Sequence, residues 1–253
     1  MSVPDAEQLF LVSYGDDPSK IRGLKSPYIN LGLGKRYVDT FSKFEALRVF
    51  ISDEFRAGRL SDSDIVCFVD GYDVVQRRTD LDNFVSKFKE FGADLVFGAE
   101  TYCWPSPWMA HLFPKVQGRD GRPVPYRFPN CGTYVGYVWA VRKMLEWDEY
   151  RQTFDDQGLV HDFYLNSGGT SPSDSVRVRV AMDHHQVLFQ TGTFVPWREL
   201  DESRAWFVHF NGKSHLALDG SCVLERFAKG EAIGGLRQMH RVLEEQRLAP
   251  VGP

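Results

Sequence analysis

Three short apolar runs, separated by two segments of helical period, dominate the first hundred residues and constrain the fold more tightly than anything else in the chain. "QLFLVSY" (Gln8 to Tyr14), "DIVCFVD" (Asp64 to Asp70) and "ADLVFGAE" (Ala93 to Glu100) are nearly continuous in apolar residues, the pattern of strands buried on both faces. Between them, "SKFEALRVFISDEF" sets Phe44, Leu47, Phe50 and Ile51 on one helix face, and "LDNFVSKFKEF" has the same period. A helix joining two such strands implies that they run parallel, so "DIVCFVD" and "ADLVFGAE" are expected to form a parallel pair. The class is α/β, with a central, mostly parallel sheet and flanking helices.

Beyond Glu100 the pattern loosens into "TYCWPSPWMAHLFPKVQGRDGRPVPYRFPN", an ordered functional loop by its aromatic content. "TYVGYVWAVRKMLEW" reads as a strand running into a helix, "FDDQGLVHDFYL" as a helix and "NSGGTSPSDS" as a polar loop. "VRVRVAMDHHQVLFQ" alternates like a pair of strands, "RAWFVHFNG" is a late strand and "LRQMHRVLEEQRL" an amphipathic helix. The chain has no internal repeat, and its 253 residues suit one large domain, here 1–248, followed by the tail 249–253.

With 30 basic and 34 acidic residues the net charge is -4, which offers polyanions no overall footprint and weighs against a nucleic-acid binder. Cys67, Cys103, Cys131 and Cys222 are too far apart for a zinc or dithiol motif and read as buried thiols. The N-terminal "MSVPDAEQLFLVSYG" lacks a basic leader with a long apolar stretch, and no apolar run approaches the roughly 18 residues that span a bilayer. A reducing cytoplasm is the expected location.

Ligands of open parallel sheets bind beyond the carboxyl ends of the strands, so polar residues there carry most weight. Asp70 closes one strand, Gly71 allows a sharp turn, and Asp73 is expected to come round to the same side. Two converging carboxylates repel unless a proton or cation lies between them, and oxygen ligands suit Mg²⁺ or Mn²⁺. Tyr72, between them, could stack on a flat ring. Glu100 ends the neighbouring strand, and "FPNCGTYVG" places Asn130 and Gly132 where backbone must approach something closely. Asp155 and Asp156 precede Gln157 at a helix start, and His209 ends "AWFVHFNGK" beside Gly212 and Lys213. Together these suggest a nucleotide-diphosphate site, with the acid pair and histidine on a metal and the lysine on the diphosphate.

"FVDGYDVV", "FGAETYCWP", "FPNCGTYVGYVWAVRKMLEW", "DDQGLVHDFYL", "AMDHHQVLFQ" and "FVHFNG" resemble, in the same order, blocks of the glycosyltransferase domain of the procollagen lysyl hydroxylases. The resemblance runs from about Leu9 to Lys213. It implies a GT-A, Rossmann-like glycosyltransferase fold and transfer of glucose or galactose from a UDP-sugar with Mn²⁺. It further implies that Asp70, Asp73 and His209 are the metal ligands and that Tyr72 lies against the uracil. Lys43 matches a family lysine near the donor, and Ser13 and Tyr14 lie where the first strand meets the nucleotide. Asp155 and Asp156 match the acid pair needed for transfer, and Trp104 lies in a segment lining the donor and acceptor region. Asn130, Gly212 and Lys213 complete the expected donor contacts.

The family's Leu-Asn-Ser-Gly-Gly is here "PNCGT", with Cys131 and Thr133 as replacements; the literal "LNSGG" at Leu165 to Gly169 falls in the wrong block. The family's His-Gly-Asn-Gly becomes His209-Phe210-Asn211-Gly212, with Lys213 displaced. No hydroxylase half accompanies these blocks, so a stand-alone transferase is expected. Its hydroxyl acceptor is open: a protein side chain, a glycan, a small molecule or a hydroxymethylated DNA base, for which "RVRVAMDHH" would be the basic patch. A catalytically inactive nucleotide-sugar-binding protein is the alternative from another class, against which the intact acids speak. A nucleotidyltransferase would want a better Gly-rich basic loop than "SYGDDPSKIRG".

Overall fold

The computed structural model describes residues 7–118, 120–147, 155–167, 177–192, 200 and 202–211. The elements in chain order are β1 (Leu9–Tyr14), β2 (Ile29–Asn30), α1 (Ser42–Arg56), β3 (Ile65–Asp70), β4 (Val74–Gln76), α2 (Leu81–Glu90) and β5 (Leu95–Glu100). They continue with β6 (Phe128–Tyr137), α3 (Val138–Leu145), α4 (Asp156–Ser167), β7 (Val180–Asp183), β8 (Phe189–Thr191) and β9 (Phe207–His209).

A six-stranded sheet has the order β2-β1-β3-β6-β5-β7, and a three-stranded sheet the order β4-β9-β8. In the large sheet β1 pairs parallel with β2 and β3, and β5 parallel with β7, while β6 is antiparallel to both β3 and β5. The mostly parallel sheet is as expected. The expected β3–β5 pair is not, because β6 lies between the two strands. Nine of the ten β6 residues are buried, so this strand has the apolar surface to occupy a central position.

Alternation along β3 divides the core. Val66 and Phe68 pack with Phe44, Leu47 and Ile51 of α1, Val141 and Met144 of α3, and Leu159 and Phe163 of α4. Ile65, Cys67 and Val69 face the other way, toward Phe84 and Phe88 of α2 and Leu188, Phe189 and Phe207 around the small sheet. This is the period-two signature of a strand covered on both sides. α1 and α2 end alike, with Gly58 and Gly92 at positive φ just beyond the last turn, a conformation glycine adopts without steric cost.

Two expected elements differ in detail. The strand pair read from "VRVRVAMDHHQVLFQ" forms, but β7 joins the large sheet and β8 the small one, because Asp183 turns the chain between them. Its buried carboxylate accepts the N–H groups of Val187, Leu188 and Phe189. β6 also starts earlier than expected, at Phe128, taking the last residues of the aromatic loop. The C-terminal helix, the tail, Gly212 and Lys213 lie outside the described residues, as does most of the polar loop.

Pairing between β5 and β6 jumps from Phe97↔Tyr134 to Gly98↔Asn130, so Cys131, Gly132 and Thr133 form a bulge with no partner on β5. A bulge re-aims backbone and side chains. Here it thrusts the segment "NCGT" toward the end of β3.

Candidate active site

The site is built where β1, β3 and β5 end and the antiparallel β6 begins. Asp70 is the last residue of β3, in register with Tyr14 at the end of β1. Asp73 stands just before β4, which pairs antiparallel with β9 so that Val74 lies opposite His209. The Phe210 N–H donates to the Asp73 carbonyl at 2.8 Å, holding the two chain segments together. Asp70, Asp73 and His209 thus each bring one ligand atom into a group spanning no more than 4.8 Å. His209 Nε2 is 3.3 Å from Asp73 Oδ2 and 3.6 Å from Asp70 Oδ2.

The His209 tautomer follows from its other nitrogen. Asn130 Oδ1 accepts the Gly132 N–H at 3.0 Å, which identifies that atom as the amide oxygen. His209 Nδ1 lies 2.9 Å from the same oxygen and must therefore donate to it. Nε2 is left to face the two carboxylates, the arrangement of a metal-binding histidine oriented by an outer partner. Burial pushes the His209 pKa down, but the charge and hydrogen bond of Asp73 and the charge of Asp70 together carry it above its usual value. A proton or a divalent cation would satisfy the same three atoms. Two carboxylates and an imidazole suit Mn²⁺ or Mg²⁺, the imidazole favouring the former.

Glycines make the approach possible. A Cβ on Gly132 would lie 2.3 Å from His209 Cε1 and 2.4 Å from Asp70 Oδ2. Gly71 does not adopt the left-handed backbone; a Cβ there would meet the Tyr14 carbonyl oxygen at 2.5 Å, so close packing is its reason.

Behind Asp70 and Asp73 lies Lys43 at the start of α1, only 7% exposed. Its Nζ donates to Asp70 Oδ1 at 3.0 Å and pairs with Asp156 Oδ2 at 2.8 Å, with Cys131 Sγ at 3.7 Å. Asp155 is half-buried while Asp156 is buried. Burial and the neighbouring charge of Asp156 raise the Asp155 pKa. Both acids cap the Gln157 N–H, at 2.8 and 2.9 Å.

The remaining expected residues are more dispersed. Ser13 is fully buried and its hydroxyl meets no hydrogen-bond partner among the described residues. Tyr14 is buried too, its ring 6.3 Å from that of Tyr37. Tyr72 is 37% exposed, its hydroxyl donating to Asp16 and accepting the Asp17 N–H at 2.8 Å, so the ring is presented in one orientation beside Gly15. Trp104 is exposed on the loop between β5 and β6, along with Tyr102, Trp108 and Leu112. Arg179, in the candidate basic patch, is committed to Asp94 at 2.5 Å.

Glu100, noted in the sequence only as a strand-end acid, proves central. Its Oε1 accepts from Gln157 Nε2 at 2.5 Å and from Asn130 Nδ2 at 3.5 Å, and its Oε2 from Asn211 Nδ2 at 2.7 Å. It joins the residue after the Asp155–Asp156 pair, the partner of His209 and the segment following β9. Gln157 Oε1 in turn accepts the Cys131 N–H at 2.8 Å. Burial pushes the Glu100 carboxyl up to about 8, against the opposing pull of His209 and the amides of Asn130 and Asn211. Because the native value lies above the ordinary 4.5, the native state holds this proton more tightly, and stability falls as pH rises from about 4.5 to about 8. Glu100→Gln removes a slope of at most about 1.4 kcal/mol per pH unit. Thermal melts should show the variant gaining on the wild type between pH 5 and pH 8; a pH-independent difference would contradict this.

The family model described as the PLOD GT domain matches residues 43–195, which takes in Lys43, Asp70, Asp73, Glu100, Asn130, Asp155 and Asp156. A procollagen-lysine,2-oxoglutarate 5-dioxygenase of Drosophila melanogaster is 42% identical over 126 residues, 50% of this chain and 16% of the relative. A multifunctional procollagen lysine hydroxylase and glycosyltransferase of Caenorhabditis elegans is 31% identical over 223 residues, 78% of this chain and 28% of the relative. The chain thus spans well under a third of these relatives. A solved glycosyltransferase involved in glycosylation of the major capsid of PBCV-1 is 13% identical, with a TM-score of 0.49, covering 88% of this chain and 98% of that one. On the match over residues 43–195, this chain belongs to the glycosyltransferase-domain family of the procollagen lysyl hydroxylases.

Proposed function

We propose that the protein is a metal-dependent glycosyltransferase that moves glucose or galactose from a UDP-sugar to a hydroxyl acceptor. The observation that carries this reading is the convergence of Asp70, Asp73 and His209, with Asn130 fixing the histidine tautomer and Gly132 leaving the space. Bound there, Mn²⁺ or Mg²⁺ would neutralise the charge that builds on a departing diphosphate. Tyr72, fastened by Asp16 and Asp17, offers its ring face to the uracil, and the exposed Trp104 stands on the loop where donor sugar and acceptor would meet. Asp155 is the more exposed of the two acids, and burial with the neighbouring Asp156 charge raises its own pKa, which suits it to take the acceptor proton. Cys67, Cys103 and Cys131 are free buried thiols, in keeping with a reducing cytoplasm.

The test is release of UDP from UDP-glucose or UDP-galactose by the purified protein, with and without Mn²⁺. Slow, metal-dependent release is expected even without an acceptor. No release from any common UDP-sugar would sink the proposal. Mass spectrometry of host proteins and DNA, with and without the protein, would then find the acceptor by its hexose increment.

A further inference from the structure

We propose that Lys43 is a positioning residue that couples the metal acids to Asp156, and not a ligand of the sugar donor. The inference rests on the metal reading of Asp70, Asp73 and His209 given above. An ammonium has three N–H bonds and no acceptor. In Lys43 these are spent on Asp156 Oδ2 at 2.8 Å, Asp70 Oδ1 at 3.0 Å and the weak acceptor Cys131 Sγ at 3.7 Å. The side chain is buried, and its Nζ lies 5.7 Å from the centre of the Phe68 ring, so its remaining surroundings are protein. To reach a diphosphate it would have to leave two carboxylates in a site where unpaired charge is costly.

Asp156 is held from several other directions. Its N–H donates to Thr40 Oγ1 at 3.3 Å, just before α1, and its Oδ2 also accepts from Cys131 Sγ at 3.2 Å. Its Oδ1 accepts the Gln157 N–H at 2.9 Å. The start of α1 therefore grips the start of α4 through backbone and side chain, and Lys43 extends that grip to Asp70. Asp156 belongs to the framework, and Asp155 beside it is the acid left for the reaction. Because Lys43 touches a metal acid, its positive charge also opposes a cation held by that acid, and Asp156 offsets part of this opposition.

The two substitutions that break the link should then act on the metal with opposite signs. Lys43→Met removes the opposing charge, so Mn²⁺ should bind about tenfold more tightly, while kcat at saturating Mn²⁺ falls at least about tenfold and the donor KM is unchanged. Asp156→Asn leaves Lys43 to act wholly on Asp70, so Mn²⁺ should bind about tenfold more weakly although Asp156 is not a ligand. Mn²⁺ titrations followed by electron paramagnetic resonance read both without turnover, and steady-state kinetics read the rest. Weaker Mn²⁺ binding in Lys43→Met, or a raised donor KM with unchanged kcat, would overturn the proposal. A folding failure caused only by loss of the ammonium would weaken binding, not strengthen it. If Lys43→Met does not fold, Asp156→Asn decides alone: unchanged Mn²⁺ affinity overturns the coupling. A wild type that binds no Mn²⁺ would instead overturn the metal reading itself.

Discussion

Gly132→Ala is expected to weaken Mn²⁺ binding by up to about a hundredfold, and metal-dependent UDP release with it, without unfolding the protein. The added carbon would stand 2.3 Å from His209 Cε1 and 2.4 Å from Asp70 Oδ2, closer than non-bonded atoms approach. Both neighbours are proposed ligands, and neither has room to retreat unchanged. His209 is pinned by Asn130 at 2.9 Å and Asp70 by Lys43 at 3.0 Å. Relief must come from turning one of them out of the metal's reach or from shifting the bulge of β6. Disturbing partners that orient a ligand commonly costs ten- to a hundredfold in affinity, about the scale expected here. The rest of β6 keeps its pairing with β3, so circular dichroism should be nearly unchanged. Wild-type Mn²⁺ affinity in a folded Gly132→Ala protein would show that the cation does not sit between these residues.

Asp73→Ala should reduce metal-dependent UDP release by roughly a thousandfold, the several kcal/mol that a Lewis acid contributes to stabilising developing charge. Asp73 is tied to β9 by its backbone carbonyl, which alanine retains, so the small sheet should form as before. The side chain is what His209 loses. Burial would then dominate the imidazole, lowering its pKa, while Asp70 remained next to Lys43. Asp73→Asn keeps the shape without the charge and should fall between alanine and wild type. Equal rates with and without Mn²⁺ in the wild type, or retained metal dependence in Asp73→Ala, would reject the assignment.

Much of this site was legible in the chain because its parts lie at strand ends, where a change from apolar to polar residues is conspicuous. Asp70 and Asp73 stand out after "IVCFV", and Glu100 after "LVFGA". The close approach expected of Asn130 and Gly132 also holds, and the bulge in β6 that produces it ends at Tyr134, whose ring stacks on Phe68 at 5.1 Å. The role of Glu100 was not legible. It depends on Asn211, 111 residues away in the chain, and on Gln157, 57 residues away, and nothing local in "LVFGAE" records either partner.

The alternation of buried strands and helices, Asp70 closing β3 with Asp73 three residues on, and the family to which the chain belongs can all be read along the chain. These are local properties: a strand's burial is written in its own period, and a motif in its own order. Folding is what places β6 between β3 and β5, pairs β4 with β9 so that His209 reaches Asp73, and sets Lys43 against two carboxylates. Pairing partners and salt bridges are chosen by which distant surfaces fit together and which buried charges must be neutralised. That choice is made by the folded chain as a whole, and no short stretch of residues contains it.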